Sequence, residues 1–490
     1  MLLPTRLYFL AFIVFALPFS VYAEQFTANP STYLSLINQL TKDSVLHLEP
    51  GTYADGLPVI DMHGEPGQPI VITGPSEGEP AIFVGHPCCN TVQIKDSSYV
   101  VISNLRIDGS NISGIDAVNG RGITHNITIS GLTIVGHAPD QGTIGISTKG
   151  PAWDWLIKDN YILEAGTGMY LGNSDGEQPF VRGIIEHNVI VDTIGYNVEI
   201  KHQNPRPTGI GMPQGMNKTI IRHNVFSKLH NASAGNMARP NLLVGHAPDT
   251  GDGNNDFYEI YGNFLYQNPS EALFQGEGNI AFYNNILLND FGPAVNIAPH
   301  NGVPKNIDVF FNTVVSSGYG IRIQGGSADY EQQAIGNAVF AAIAITAPVS
   351  NSNIYDTYQA ASDYISAPFD PIGTLDLYPI VGTLKEGEID MFLFRAYTDS
   401  SLDFNGSDRQ GNFHGAYSGE GSNAGWKLSL TTKPRTNAST IANVDVPGNQ
   451  TYPQTTASAA ATSVYDLVFL WLVCISLVVM RNRKQREFNQ

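Results

Sequence analysis

The chain is poor in cysteine, in charge and above all in cations. Three cysteines in 490 residues cannot build a disulfide framework. Cys474 falls in an apolar C-terminal run. Cys88 and Cys89 are neighbours that could form a vicinal disulfide, stay reduced or link two chains. Charged residues make up 14% of the chain, which suits tight turns and leaves little for the solvated faces of surface helices. Lysine and arginine total 26 against 44 aspartates and glutamates, a net charge of -18. Arg6, Arg481, Arg483, Lys484 and Arg486 lie in the terminal segments, so the body between them is more acidic still. Such a surface excludes nucleic acid as a partner. It would also repel an anionic polysaccharide unless a cation or a local basic patch intervened.

What the chain does have is repetition. Between Val101 and Ala347 a phrase recurs: a few β-branched residues, an Asn, a second apolar strand, then a Gly-rich turn. It reads VISNLRI, IKDNYIL, IIEHNVIV, IIRHNVFS, IYGNFLY, FYNNILL, FFNTVV and IGNAVF. The asparagines are Asn104, Asn160, Asn188, Asn224, Asn263, Asn285, Asn312 and Asn337, and Gly131 in ITISGLTIV fills the missing step. A period of this length, made of short strands without helical patterning, predicts stacked coils of parallel strand. The Asn at each corner has two physical reasons. Asn tolerates the left-handed turn conformation, and stacked amides can hydrogen-bond from coil to coil. Both readings are structural. Ahead of the repeat, Ser31–Leu40 has apolar residues at helical spacing and predicts a helix that caps the first coil.

Both ends carry other signals. Met1–Ala23 has Arg6, the apolar run LYFLAFIVFALPF and a small-x-small site, the pattern of a secretory signal. Residues 431–463 are rich in Thr, Ala, Ser and Pro and read as a linker. Residues 464–480 are apolar and 481–490 basic, which predicts a single transmembrane or sorting helix with the body outside. The expectation is an exported monomer held at the cell surface through a membrane-inserted C-terminal helix. Its β-helix would span 24–350, with a C-terminal extension of that β-helix over 351–430.

The cap helix followed by LHLEPGTY, together with the strand-Asn-strand repeat, resembles the secreted right-handed parallel β-helix proteins. That resemblance implies an all-β solenoid over roughly Thr27–Ala347, a scaffold that hosts many chemistries. Near the end, Asp403-Phe-Asn-Gly-Ser-Asp-Arg409 and Gly415-Ala-Tyr417 look like the closing D-x-x-G-x-x-R…G-A motif of surface-anchored β-helix proteins. It reads as a clasp in which Arg409 could pair with Asp403.

Chemistry should lie on the outward residues of the strand that follows each Asn strand. Alternation aligns Ile144/Ile146, Met169/Leu171, Val198/Ile200, Leu242/Val244, Ala272/Phe274, Val295/Ile297 and Ile321/Ile323. The densest polar patch is then Glu199, Lys201 and His202, with Arg239, His246, Glu277 and His300 on nearby coils and Arg322 further along. The strand NVEIK is similar to that of the alginate and dermatan lyases of the β-helix class. By that resemblance Glu199 is a calcium ligand and Lys201 the base of a β-elimination, with Arg239 or His246 completing the catalytic set. The family's following strand reads like L-R-H-G, whereas this chain has Leu242-Leu-Val-Gly-His246. His202, Arg206, Glu277, His300 and Arg322 are the candidate polysaccharide-binding residues. The insertion holding Asp249, Asp252 and Asp256 places oxygen ligands on a Gly-rich loop, a second possible calcium site. A noncatalytic glycan-binding or adhesin-like protein is the alternative. A hydrolase using Glu199 and Glu277 comes third.

Overall fold

The computed structural model describes residues 23–435. Strands pair in parallel with strands one coil away, and the pairs extend into three long sheets that form a parallel β-helix. The front sheet includes Ile144–Thr148, Thr167–Leu171, Val198–Ile200, Leu242–Val244, Phe274–Gly276 and Val295–Ile297. The second sheet includes Leu156–Lys158, Ile184–Glu186, Lys218–Arg222 and Phe257–Tyr261. The third includes Tyr161–Leu163, Val189–Val191, Val225–Ser227 and Phe264–Tyr266. Among the described strands, Ile365–Ala367 and Asp376–Pro379 form an antiparallel pair outside the stack. The winding agrees with the right-handed crossover that parallel strands favour.

The core is a column of inward aliphatic and aromatic side chains and methionine, one layer per coil, such as Ile146, Met169, Val198, Leu242 and Phe274. Burying each contributes about 1.5–3 kcal/mol. The predicted cap helix is present but short, Tyr33–Ile37. Tyr33 closes the first coil, its ring 5.0 Å edge-on from Tyr53 and its hydroxyl donating to the Gly56 carbonyl at 2.7 Å.

The asparagine ladder is continuous from Asn160 to Asn353. Each Nδ2 donates to the Oδ1 of the Asn one coil on, at 2.9 to 3.1 Å. The left-handed residue is not the ladder Asn, however, but the one before it: Asp159, His187, His223, Gly262, Asn284, Phe311, Gly336 and Ser352. The turn and the ladder therefore use adjacent positions. Asn104 and Gly131 occupy the left-handed position themselves, with Leu105 and Leu132 in the ladder place, so the ladder starts two coils later than the repeat. Leu132 joins it through its backbone N–H, which donates to Asn160 Oδ1 at 3.0 Å.

The stack adds its last strands at Val349–Asn351 and Ile354–Asp356. Residues 357–435 do not extend it. They lie along the flank and run back toward earlier coils. Gly415 N–H donates to the Gly336 carbonyl, Leu402 O accepts from Asn284, and Lys433 Nζ donates to Gly262 O at 3.0 Å. Arg435 reaches Asp159 at 2.8 Å. The closing motif is the centre of this strap. Arg409 does not pair with Asp403. It donates to the carbonyls of Gly415 and Ala416 and to Asn284 Oδ1, over the ring of Phe311. Asp403 accepts from the N–H groups of Asn405, Ser407 and Ser418, each at 2.9 Å.

Cys88 and Cys89 are joined in a vicinal disulfide. The expected signal segment up to residue 22, the linker beyond residue 435, the apolar helix and the basic tail lie outside the described residues. Among the described residues no helix is long and apolar enough to cross a membrane.

Candidate functional site

The outward row of the front sheet is read directly from its register. Ser147 pairs with Tyr170, Tyr170 with Glu199, Glu199 with Leu243, Leu243 with Gln275, Gln275 with Asn296 and Asn296 with Arg322. The alignment from sequence slipped at one coil. Phe274 and Gly276, not Ala272 and Phe274, stand beside Leu242 and Val244. Gly276 has no side chain to mark the inward step, and the neighbouring Ala272 and Leu273 are buried as well.

Glu199 sits between Tyr170 and Leu243, and this location governs its chemistry. The two neighbours strip it of water, and burial pushes its carboxyl above the usual carboxylate range. The charges of Lys201, Arg239 and His300 pull the other way and partly offset the burial. Lys201 Nζ lies 2.6 Å from Glu199 Oε1 and 5.4 Å from the Tyr170 ring centre, with its side chain 17% exposed. It is thus the solvent-facing member of the pair. His202 stacks on His246 at 5.5 Å between ring centres. Burial, then the neighbouring charges of His246 and Lys201, lower the proton affinity of His202.

His246 is itself buried, and its Nδ1 is 2.6 Å from the Ala247 carbonyl. With that nitrogen donating, the neutral ring offers Nε2 only as an acceptor, so His246 can give up a proton from Nε2 only as imidazolium. Arg239 lies at the turn before the strand, its guanidinium 5.9 Å from the Tyr196 ring. Its carbonyl is held by Lys228 Nζ at 2.7 Å and Asn268 Nδ2 at 2.9 Å. Lys228 is fully buried, and burial lowers its pKa to about 7. Tyr196 and Lys228 escaped the sequence reading. Both lie outside the alternating strand, and only their closeness to the repeat could have flagged them.

Other candidates occupy different roles. Glu277 Oε2 accepts from the N–H groups of His300, Asn301 and Gly302 at 2.8 to 2.9 Å, which makes it the anchor of that loop rather than a free binding group. His300 is thereby held near Glu199. Arg322 donates to Asn296 Oδ1 at 3.0 Å and stacks on Tyr319, four coils from Glu199. At about 4.8 Å per coil this is beyond direct reach of Lys201.

Arg206 is buried, with 1% of its side chain exposed, and is paired with Asp256. It also donates to the carbonyls of Pro213 and Gly215. This pair ties the two long insertions together, which removes Arg206 from sugar binding and Asp256 from metal binding. Asp249 is bound by Lys305 at 3.2 Å. Asp252 acts electrostatically on Arg206. Among the described residues no group of three or more His, Cys, Asp or Glu is placed to hold a metal ion. Of the carboxylates expected to ligate calcium, Glu199, Asp256 and Asp249 are paired with Lys201, Arg206 and Lys305.

A stability prediction follows from the Arg206–Asp256 pair. Asp256→Asn leaves the guanidinium buried without its counter-charge, a loss of about 3–5 kcal/mol. Urea unfolding followed by circular dichroism measures it. A midpoint equal to that of the parent protein would contradict the pairing.

No sequence family matches the chain, and no curated protein does. Solved structures match in fold. An alginate lyase from Paenibacillus sp. str. FPU-7 is 15% identical with a TM-score of 0.42, over 68% of this chain and 98% of that one. A pectate lyase, Pel9A, is 12% identical with a TM-score of 0.40, over 84% of this chain and 96% of that one. The GH136 lacto-N-biosidase from Eubacterium ramulus is 11% identical with a TM-score of 0.42, over 68% of each chain. At these identities the likeness is one of winding and not of side chains.

Proposed function

We propose that the protein is a carbohydrate-active β-helix that cleaves an acidic polysaccharide by β-elimination, with Lys201 as the base. The observation that carries this reading is the Lys201–Glu199 pair, 2.6 Å apart, with Glu199 buried and Lys201 the more exposed of the two. Burial raises the proton affinity of Glu199, and its Oε1 is 2.6 Å from Lys201 Nζ. As a free amine, Lys201 removes the proton beside the uronate carboxylate. The electron pair of the C5–H bond forms the C4–C5 double bond as the C4–O4 bond breaks, and the departing O4 takes up the proton now held by Lys201, leaving an unsaturated sugar at one cut end and a hydroxyl at the other. Arg239 and His300, whose positive fields already reach Glu199, stabilise the charge that builds on the substrate carboxylate.

The test is direct. The protein is incubated with alginate, pectate and dermatan sulfate, with calcium and with chelator, and the ultraviolet absorbance of the unsaturated product is followed. A rise on one substrate is expected, of similar rate with chelator present. A flat trace on all three overturns the reading. One observation favours a noncatalytic glycan-binding protein instead: Leu243 occupies the groove position beside Glu199, where an arginine would complete the lyase pattern. Retention on an acidic-glycan column without any absorbance change would select that alternative.

A further inference from the structure

The front sheet carries a second outward row, two residues further along each strand. Lys95 pairs in register with Arg121. Lys149 follows on the next coil, its N–H donating to the Gly120 carbonyl, and Gly172 stands on the coil after that, its N–H donating to the Thr148 carbonyl. Lys201 comes next, its N–H donating to the Leu171 carbonyl. Five successive coils thus read Lys, Arg, Lys, Gly, Lys along one edge of the groove. At Gly172 an added Cβ would lie 3.1 Å from Lys201 Cβ, so the glycine keeps the lane beside Lys201 clear.

This row is anomalous in a chain with 26 basic and 44 acidic residues. Like charges facing each other on neighbouring strands destabilise a sheet. The protein offsets them only in part. Lys149 is 3.3 Å from the buried Asp116, and Lys95 is 4.0 Å from Asp96. Arg121 donates through Nε to Asn119 Oδ1 at 2.9 Å and meets no carboxylate within ion-pair distance in the described residues. Lys95 and Arg121 are exposed.

Taking the proposed acidic substrate as the starting point, we infer that Lys95, Arg121 and Lys149 form a binding track for a polyanionic glycan. The chain would lie parallel to the solenoid axis and lead into Lys201. Coils repeat at about 4.8 Å, close to the rise of one sugar in an extended 1,4-linked chain, so successive carboxylates can meet successive cations. The row is the local basic patch that an acidic body needs in order to hold an acidic polymer. It also gives the groove a direction, since the cations lie on the N-terminal side of Lys201 and Arg322 stands alone at the other end.

The experiment uses the full chain and two probes, long polygalacturonate and long polyguluronate, with neutral glucomannan as control. Binding is measured by calorimetry at low and at moderate salt. The double variant Lys95→Gln/Arg121→Gln spares the Lys149–Asp116 pair and so preserves the fold. It is expected to bind the long acidic chain about tenfold more weakly and with a flatter salt dependence. The charge-keeping variant Lys95→Arg/Arg121→Lys retains parental affinity. Cleavage of short oligomers, if the parent cleaves them, stays unchanged in both. Equal affinity of the parent and the glutamine variant overturns the track, whatever the cleavage assay shows. So does a parent that binds neither acidic chain. Binding that depends on the track in a parent that never cleaves supports the track and removes Lys201 as a base.

Discussion

Lys201→Ala is expected to abolish elimination, with a loss of about 10²–10⁴-fold in kcat, the usual contribution of a positioned base. The argument rests on what remains once the amine is gone. Glu199 stays between Tyr170 and Leu243, still buried, and loses the cation 2.6 Å away that most favours its ionised form. Its proton affinity rises further, and its burial between Tyr170 and Leu243 keeps it from taking the place of the missing base. Lys201→Arg is the informative companion. It restores the charge beside Glu199 with a guanidinium, which stays protonated and cannot act as a base, so stability should recover while activity does not. Rates on the best substrate, with thermal unfolding of both variants, decide the matter. Full activity in the alanine variant would assign the base elsewhere.

Asn263→Ala should be among the most damaging single changes in the solenoid outside its apolar core. Asn263 Oδ1 accepts from both the N–H and the Nδ2 of Asn224, at 2.9 and 3.0 Å. Its own Nδ2 donates to the Ile221 carbonyl and to Asn285 Oδ1, at 2.9 and 3.0 Å. Truncation strands the Asn224 N–H and the Ile221 carbonyl in a dry interior, and each buried orphan costs about 1–3 kcal/mol. Asn224 Nδ2 keeps the carbonyls of Ile185 and Arg222, which limits the damage. A net loss of about 3–6 kcal/mol is the expectation for the two orphans and the void together. Asn263→Asp should be no milder, because it replaces the donor facing Asn285 Oδ1 with a second acceptor. Urea titration of both variants gives the numbers. A loss under about 1 kcal/mol would mean that water replaces the amide, and the ladder would then be ornament rather than support.

The scaffold was readable because its repeat is written in residues with a single job. Asn at a corner between β-branched strands serves the ladder and little else, so the pattern survives every insertion. The finer assignments failed where one signal served two positions. Left-handed turns were assigned to the ladder Asn, yet Asp159, Gly262, Asn284 and Gly336, all turn-formers, stand one place earlier. Phe311 takes the same left-handed conformation and is invisible by that rule, because a bulky residue adopts it only where the surrounding coils impose it. Of the site, the Glu199, Lys201, His202 and His246 neighbourhood was legible from alternation. Arg206 and Asp256 were not, because an ion pair between two insertions leaves no trace in spacing. The cationic row is hard to see in the sequence because Lys95 and Arg121 lie in longer strands, Val92–Ser103 and Val118–Ser130, that span two faces.

The strap has a mechanical consequence. Its final residues lie against early coils, with Arg435 at Asp159 and Lys433 at His187 and Gly262, while its clasp sits further along at Asn284 and Gly336. A pull on the chain beyond residue 435 would load these contacts one after another, as a zipper, and not all together in shear. The first to give would be the half-exposed Arg435 pair, and the last the buried Arg409 clasp. Tension would therefore be absorbed by unpeeling the flank while the stacked coils, and the groove on the front sheet, kept their register.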